Sequence, residues 1–153
     1  MCIRDRNINS YKRYVEGSFA PTALRWGRDN RTCAFRLVGH GASLRLENRI
    51  PGGDVNPYLA TAAVIAAGLA GIQERLELEP AFEGNAYEDR DAPRVPTSLA
   101  HARDLWLGSE FARRTFGDDV VDHYANMAAV EVAAFGRSVT DCCLLYTSDA
   151  ADE

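Results

Sequence analysis

The stretch that most restricts the fold is residues 57–72, PYLATAAVIAAGLAGI, which carries no charged side chain and has no polar face. Asn56, just ahead of it, is a strong N-cap, and Pro57 occupies the first helical position, where its missing N–H costs nothing. A helix is therefore predicted from 57 to about 77. The run of 16 residues falls short of the ~20 that cross a bilayer, and Gln73-Glu74-Arg75 follow at once. A helix that is apolar on all sides has to be covered on all sides, so it is expected inside a protein core.

Immediately upstream, residues 43–50 read SLRLENRI. Leu44, Leu46 and Ile50 mark one face of a strand, and Arg45, Glu47 and Arg49 mark the other, roughly 6–7 Å between successive members. A solvated sheet face would look the same. Arg31 and Arg36, however, lie on the preceding predicted strand, which would pair with this one through the Gly39–Ala42 turn. Four arginines around one carboxylate are costly unless an anionic ligand or a metal completes the balance. A single Glu in that company suits Mg²⁺, which takes few carboxylates and shares substrate phosphates. Arg31 and Arg36 differ in strand parity. Either Arg31 sits in the turn, or a bulge re-aims it.

The rest of the chain is read around these two segments. Residues 7–21 form a loop or short helix. Strands are predicted at 22–26, 31–38 and 43–50, with turns at Gly27-Arg28-Asp29-Asn30 and Gly39-His40-Gly41. A loop rich in Pro, Gly, Asn and Asp spans 80–96. Thr97 or Ser98 caps a helix running through Leu107, and 109–116 forms a short second one. A last amphipathic helix carries Val121, Tyr124, Ala128, Val132 and Phe135 at three- and four-residue spacing. Strands first and helices after give an α+β fold with an antiparallel sheet, a long buried helix and a C-terminal helical region.

Composition narrows the class. With 46% hydrophobic and 25% charged residues over 153 positions, this is an ordinary globular chain of one domain or a large piece of one. The net charge of −5 divides unevenly, because residues 1–50 are basic and the remainder acidic. A basic third on an acidic chain suggests a local anion site, not a nucleic-acid surface or a membrane surface. Lys12 is the only lysine, and arginine suits bidentate recognition of carboxylate and phosphate. Genomic base composition would also favour arginine, but it does not explain where the arginines sit.

Residues 1–6, MCIRDR, and 142–153, CCLLYTSDAADE, resemble translated sequencing adapter and are expected to be non-native tails around a domain at 7–141. Of the cysteines, Cys33 then remains, expected as a small buried hydrophobe. The absence of a signal peptide or disulfide pattern reads as a reducing, cytoplasmic setting. His40 reads as a turn residue, and His101 and His123 as helix residues without a metal partner. Gly39-His40-Gly41 is too short for a phosphate loop. Trp26 and Trp106 read as core or interface.

Taken in order, NINSYKR, RDNRTCAFRL and RLENRIPGGDVNPYLA resemble the C-terminal half of the catalytic domain of glutamine synthetases, over about residues 7–141. The resemblance implies an ATP-dependent carbon–nitrogen ligase that phosphorylates the glutamate γ-carboxylate and lets ammonia or an amine displace the phosphate. It implies Glu47 as a ligand of Mg²⁺ or Mn²⁺, and Arg13 and Arg49 as glutamate-binding residues. It implies Arg31, Arg36 and Arg45 at the nucleotide, with Arg31 catalytic beside the transferred phosphoryl group. It also implies that the strands are part of a larger catalytic sheet or barrel, and that the parent enzyme is a homo-oligomer. The family's remaining metal ligands and N-terminal domain have no counterpart in this sequence, so the chain alone is expected to be an inactive fragment. A separate anion-binding module and a remnant that only oligomerises are the other readings.

One position departs from the family pattern. Ammonia-using members carry a glutamate just before Ala-Pro in the loop after SYKR, and here YVEGSFAP has Phe19 at that place. Replacing a carboxylate by a phenyl ring removes the attraction for a small cation and adds an apolar wall. A γ-glutamyl-amine ligase is therefore favoured over a true glutamine synthetase, with Glu16, three residues earlier, as the contrary feature.

Overall fold

The computed structural model describes residues 8–53 and 55–139. Three short strands, β1 (Trp26–Arg28), β2 (Phe35–Val38) and β3 (Arg45–Asn48), lie side by side in that order. Helices α1 (Pro57–Gln73), α2 (Leu99–Leu107), α3 (Glu110–Phe116) and α4 (Asp118–Gly136) follow. Single 3-10 turns occupy Ile8–Arg13 and Gly41–Ser43. The α+β class expected from the sequence is what the chain adopts.

The β2–β3 pair is antiparallel as expected, with Arg36 opposite Glu47 and Phe35 opposite Asn48. Gly39 sets that reversal. Its φ is +87°, and a Cβ there would lie 2.3 Å from the Ser43 carbonyl oxygen, so only glycine fits. The first strand corrects the sequence reading, because β1 pairs with β2 in parallel, Trp26 beside Phe35 and Arg28 beside Leu37. Residues 27–30 do not form a hairpin turn. Asp29 adopts φ +49°, and Asn30 Nδ2 donates to the Gly84 carbonyl at 2.9 Å. The chain is drawn outward there and loops back to its own starting edge, where Phe35 N–H donates to the Arg25 carbonyl at 3.1 Å.

Helix boundaries follow local chemistry. Asn56 caps α1 by accepting from Tyr58 and Leu59, Ser98 caps α2 by accepting from His101, and Ser109 caps α3 by accepting from Ala112. Helix α1 stops at Gln73 rather than near 77, and Arg75 beyond it turns left-handed at φ +52°.

The closed core lies among the helices and the N-terminal turn. Trp106, Leu99, Val95 and Val121 are fully buried, joined by Tyr11, Tyr14 and Ala128. The Trp106 indole N–H donates to the Val121 carbonyl at 2.9 Å, and its ring lies 5.8 Å from that of Phe116. This satisfies the indole's one polar atom inside the core. Cys33 is free and buried, as expected.

Helix α1 does not join that core. Within the described residues Ala63 is its buried residue, whereas Ile65, Leu69 and Ile72 are exposed. Leu46 and Leu37 on the sheet line a cleft of about 680 Å³ with Val64 and Gly68 of α1. An all-apolar helix needs cover, and among the described residues most of that cover is lacking. No helix among the described residues is long and apolar enough to cross a membrane.

The 80–96 loop is held to the strand layer by Arg25, whose Nε donates to Asp89 Oδ2 at 2.7 Å and whose Nη1 pairs with Glu79. The hydrogen bond from Arg25 holds the Asp89 carboxyl below its ordinary range. A depressed folded-state value stabilises above the unfolded value, near 4, and that contribution is lost as pH falls through the folded one. Asp89→Asn should therefore flatten the acid side of the stability profile. Urea midpoints measured from pH 6 to pH 3 should fall less steeply in the variant than in the wild type.

Candidate active site

The charged face of the sheet converges on Glu47. Its Oε2 accepts from Arg36 Nη1 at 3.1 Å and lies 4.0 Å from Arg49 Nη1, and its Oε1 lies 3.5 Å from Arg45 Nη2. Cross-strand pairing supplies Arg36, and period two along β3 and just past it supplies Arg45 and Arg49. Arg36 also pairs with Asp29. The Asp29 hydrogen bond first, then that of Glu47, raises the Arg36 guanidinium further above its ordinary value.

Three of the four arginines predicted around the carboxylate are thus brought to it. The fourth, Arg31, sits in the β1–β2 loop rather than on a strand, which decides between the two placements left open by its parity. There it lines a cleft of about 550 Å³ with Arg28, Asp29, Asn30, Arg36 and Phe82. Arg13 and Arg49 line a second cleft of about 360 Å³ with Ser18, Phe19 and Pro51.

Arg13 is held from below. Its Nη2 donates to the carbonyls of Arg49 at 2.8 Å and Ile50 at 3.2 Å. Arg49 Nη2 donates to the Phe19 carbonyl at 2.7 Å. The Nε atoms of Arg13, Arg36 and Arg49 are buried without a hydrogen-bond partner. Unsatisfied buried donors are unfavourable, and the closely set positive charges that carry them would be offset by an anion in the adjoining clefts.

Glu47 links the two clefts, since it touches Arg36 of the larger and Arg49 of the smaller. Among the described residues no group of three or more His, Cys, Asp or Glu side chains is placed to hold a metal ion. At the site Glu47 offers one carboxylate among guanidinium groups, a donor set that could hold a cation only if the ion shared its shell with phosphate oxygens. His40 is exposed in its turn, and His101 and His123 lie on α2 and α4, as read from the sequence.

Asn30 and Asp29 were read only as turn residues. Asn30 Oδ1 accepts from Thr32 N–H at 3.0 Å and Thr32 Oγ1 at 2.7 Å, while its Nδ2 reaches Gly84 at 2.9 Å and Phe82 at 3.4 Å. Gly27 lets the loop approach, because a Cβ there would meet the Phe82 carbonyl oxygen at 2.9 Å. The Asp-Asn pair inside an arginine-rich turn is the one local signal of this, since both side chains bond readily to nearby backbone.

The sequence matches the family defined as glutamine synthetase, catalytic domain, over residues 1–145. A gamma-glutamylethanolamide synthetase of Streptomyces coelicolor is 62% identical over 135 residues, covering 88% of this chain and 29% of that protein. A type-1 glutamine synthetase of Dictyostelium discoideum is 42% identical over 136 residues, covering 86% of this chain and 26% of that protein. Among solved structures, a GmaS complex with ADP superposes with a TM-score of 0.81 at 28% identity, covering 97% of this chain and 36% of that one. The chain thus spans between a quarter and little more than a third of the relatives named.

Asn30→Ala removes both ends of the pin beneath Arg31. It should cost about 2 kcal/mol of unfolding free energy, read as a lower urea midpoint with an unchanged slope. A midpoint equal to that of the wild type would show that the loop is held by something else.

Proposed function

The chain belongs to the glutamine synthetase family, and from that premise we propose that it forms the C-terminal part of the catalytic domain of an ATP-dependent γ-glutamyl-amine ligase. The observation that carries the reading is Glu47, bridging the arginines of two adjacent anion clefts. A phosphoryl group passing from nucleotide to carboxylate needs two anionic partners side by side with little water between them.

In this reading Arg31 and Arg36 hold the nucleotide phosphates in the larger cleft, and Arg45, beside Glu47, contributes to the same nucleotide site. Arg13 and Arg49 hold the glutamate in the smaller one. The γ-carboxylate oxygen attacks the terminal phosphorus and ADP leaves, giving an acyl phosphate. The amine nitrogen then attacks the acyl carbon, phosphate departs, and the nitrogen loses a proton as the amide forms. Arg31, exposed on its loop, neutralises charge on the transferred group without moving a proton. A Mg²⁺ or Mn²⁺ ion bound at Glu47 would supply Lewis-acid neutralisation of the phosphate oxygens.

The acceptor is read from Phe19. Its side chain is 68% exposed at the lip of the Arg13–Arg49 cleft. An apolar ring there favours an acceptor that brings carbon with its nitrogen, in keeping with the name of the relative at 62% identity. Ammonia is the second reading, favoured by Glu16 in the same loop, with Gly17 at φ +78° between the two residues.

The test is phosphate release by the full-length enzyme carrying this segment, supplied with glutamate, ATP and either ammonia or a panel of primary amines. A small carbon-bearing amine should be the best acceptor, and Phe19→Glu should shift preference towards ammonia. Ammonia as best acceptor, with an affinity that Phe19→Glu leaves alone, would establish the glutamine synthetase reading instead.

Glu47→Gln keeps the shape but removes the charge. In the same enzyme it should raise the Mg²⁺ concentration for half-maximal activity and lower turnover by about 10²-fold or more. An unchanged metal titration would remove Glu47 from the metal site.

A further inference from the structure

Residues 85–87 run between the two clefts. Ala86 is fully buried, and its N–H donates to Thr32 Oγ1 at 2.9 Å. Thr32 is in turn bonded to Asn30, so this segment is fastened to the loop that carries Arg31. Asn85 shapes the turn, accepting from Tyr87 N–H at 3.2 Å and donating to Glu88 Oε1 at 2.8 Å. From there the Tyr87 hydroxyl reaches the other cleft, where it donates to the Ala20 carbonyl at 3.1 Å, next to Phe19. Burial pushes the Tyr87 phenol up, so it keeps the proton it donates at neutral pH.

Phe19 needs such a partner. Its φ of +60° is a left-handed conformation that a phenylalanine rarely adopts. Its exposed ring has little packing to fix it, so the backbone decides where the ring stands. Arg49 and Tyr87 clamp that backbone from two sides. Arg49 also lines the Arg13 cleft, whereas Tyr87 approaches the same backbone from outside that lining. We infer that Tyr87 is a positioning residue for acceptor selection, fixing the Phe19–Ala20 backbone and thereby the apolar wall met by the incoming amine. The inference rests on the amine-ligase reading above.

Tyr87→Phe keeps the ring and removes the clamp. In the full-length enzyme carrying this segment, KM for a small primary amine such as ethanolamine should rise about tenfold, the worth of one hydrogen bond. The effect should fall on that KM rather than on the KM values for glutamate and ATP. Amide hydrogen exchange at Phe19 and its neighbours should quicken. In a double-mutant cycle with Phe19→Ala, the Tyr87→Phe effect on amine KM should vanish, because the ring it places is gone. An unchanged amine KM, a similar rise in all three KM values, or an undiminished effect in the Phe19→Ala background would overturn the inference. If the wild type takes no amine, whether or not it takes ammonia, the amine-ligase reading fails. The exchange arm then judges the clamp separately, and exchange unaltered by Tyr87→Phe overturns it.

Discussion

The cross-strand pair of Arg36 and Glu47 is the constraint on which the site depends. It exists because β2 and β3 are in the one register that sets these residues opposite each other. A slip of one residue would send Glu47 to the apolar face and put Leu46 among the guanidinium groups. The turn at Gly39 resists that slip, since its backbone lies too close to Ser43 for any side chain. Once the register is fixed, Arg45 and Arg49 fall beside the same carboxylate. Loss of Glu47's charge would therefore leave three cations facing one another, with Asp29 as partner to Arg36.

What could be read from the sequence was what local chemistry decides. The caps at Asn56, Ser98 and Ser109 and the charged face of 43–50 depend on neighbours a few positions away. The place of Arg31 and the parallel entry of β1 depend on side chains of residues 30 and 32 meeting backbone at 82–86, and no periodicity reports a contact of that span. In α4 the spacing rule put Phe135 on the buried stripe. The structure buries Ala125 instead and leaves Phe135 41% exposed beneath the Lys12 ammonium, 5.7 Å from its ring centroid. The small residue fits the close approach of α2, and the large one covers the end of the helix. For α1 the pattern correctly demands cover, but it says nothing about which polypeptide supplies it.

The described residues thus combine a closed core with an open layer. The open layer carries the arginine cluster around Glu47, and the closed core is tied to it at one junction. Tyr14, in the core, donates its hydroxyl to the Ile50 carbonyl at 2.8 Å, and Arg13 beside it grips the carbonyls of Arg49 and Ile50. The end of β3 is tied to the core through these contacts, so Arg49 is presented from a fixed backbone although α1 beyond it is largely uncovered. The exposed apolar side chains of α1 are the ones its sequence pattern requires to be covered.

The acceptor loop obeys a different logic from the rest of the site. The arginine clefts are held by charge, which acts over several ångströms and tolerates small errors of placement. A phenyl ring acts only by contact, through exclusion of water and shape, and a displacement of one ångström changes what it admits. In the amine-ligase reading, selectivity at Phe19 would therefore demand more positional control than binding at Arg13 or Arg49. The chain supplies that control by holding a disfavoured backbone conformation with donors from two separate elements, the end of β3 and the 80–96 loop. Strain at a non-glycine φ of +60° persists only where the surroundings over-determine it. That two donors do so here, at a residue whose side chain is exposed, is the physical ground for treating Phe19 as part of the site rather than as a turn residue.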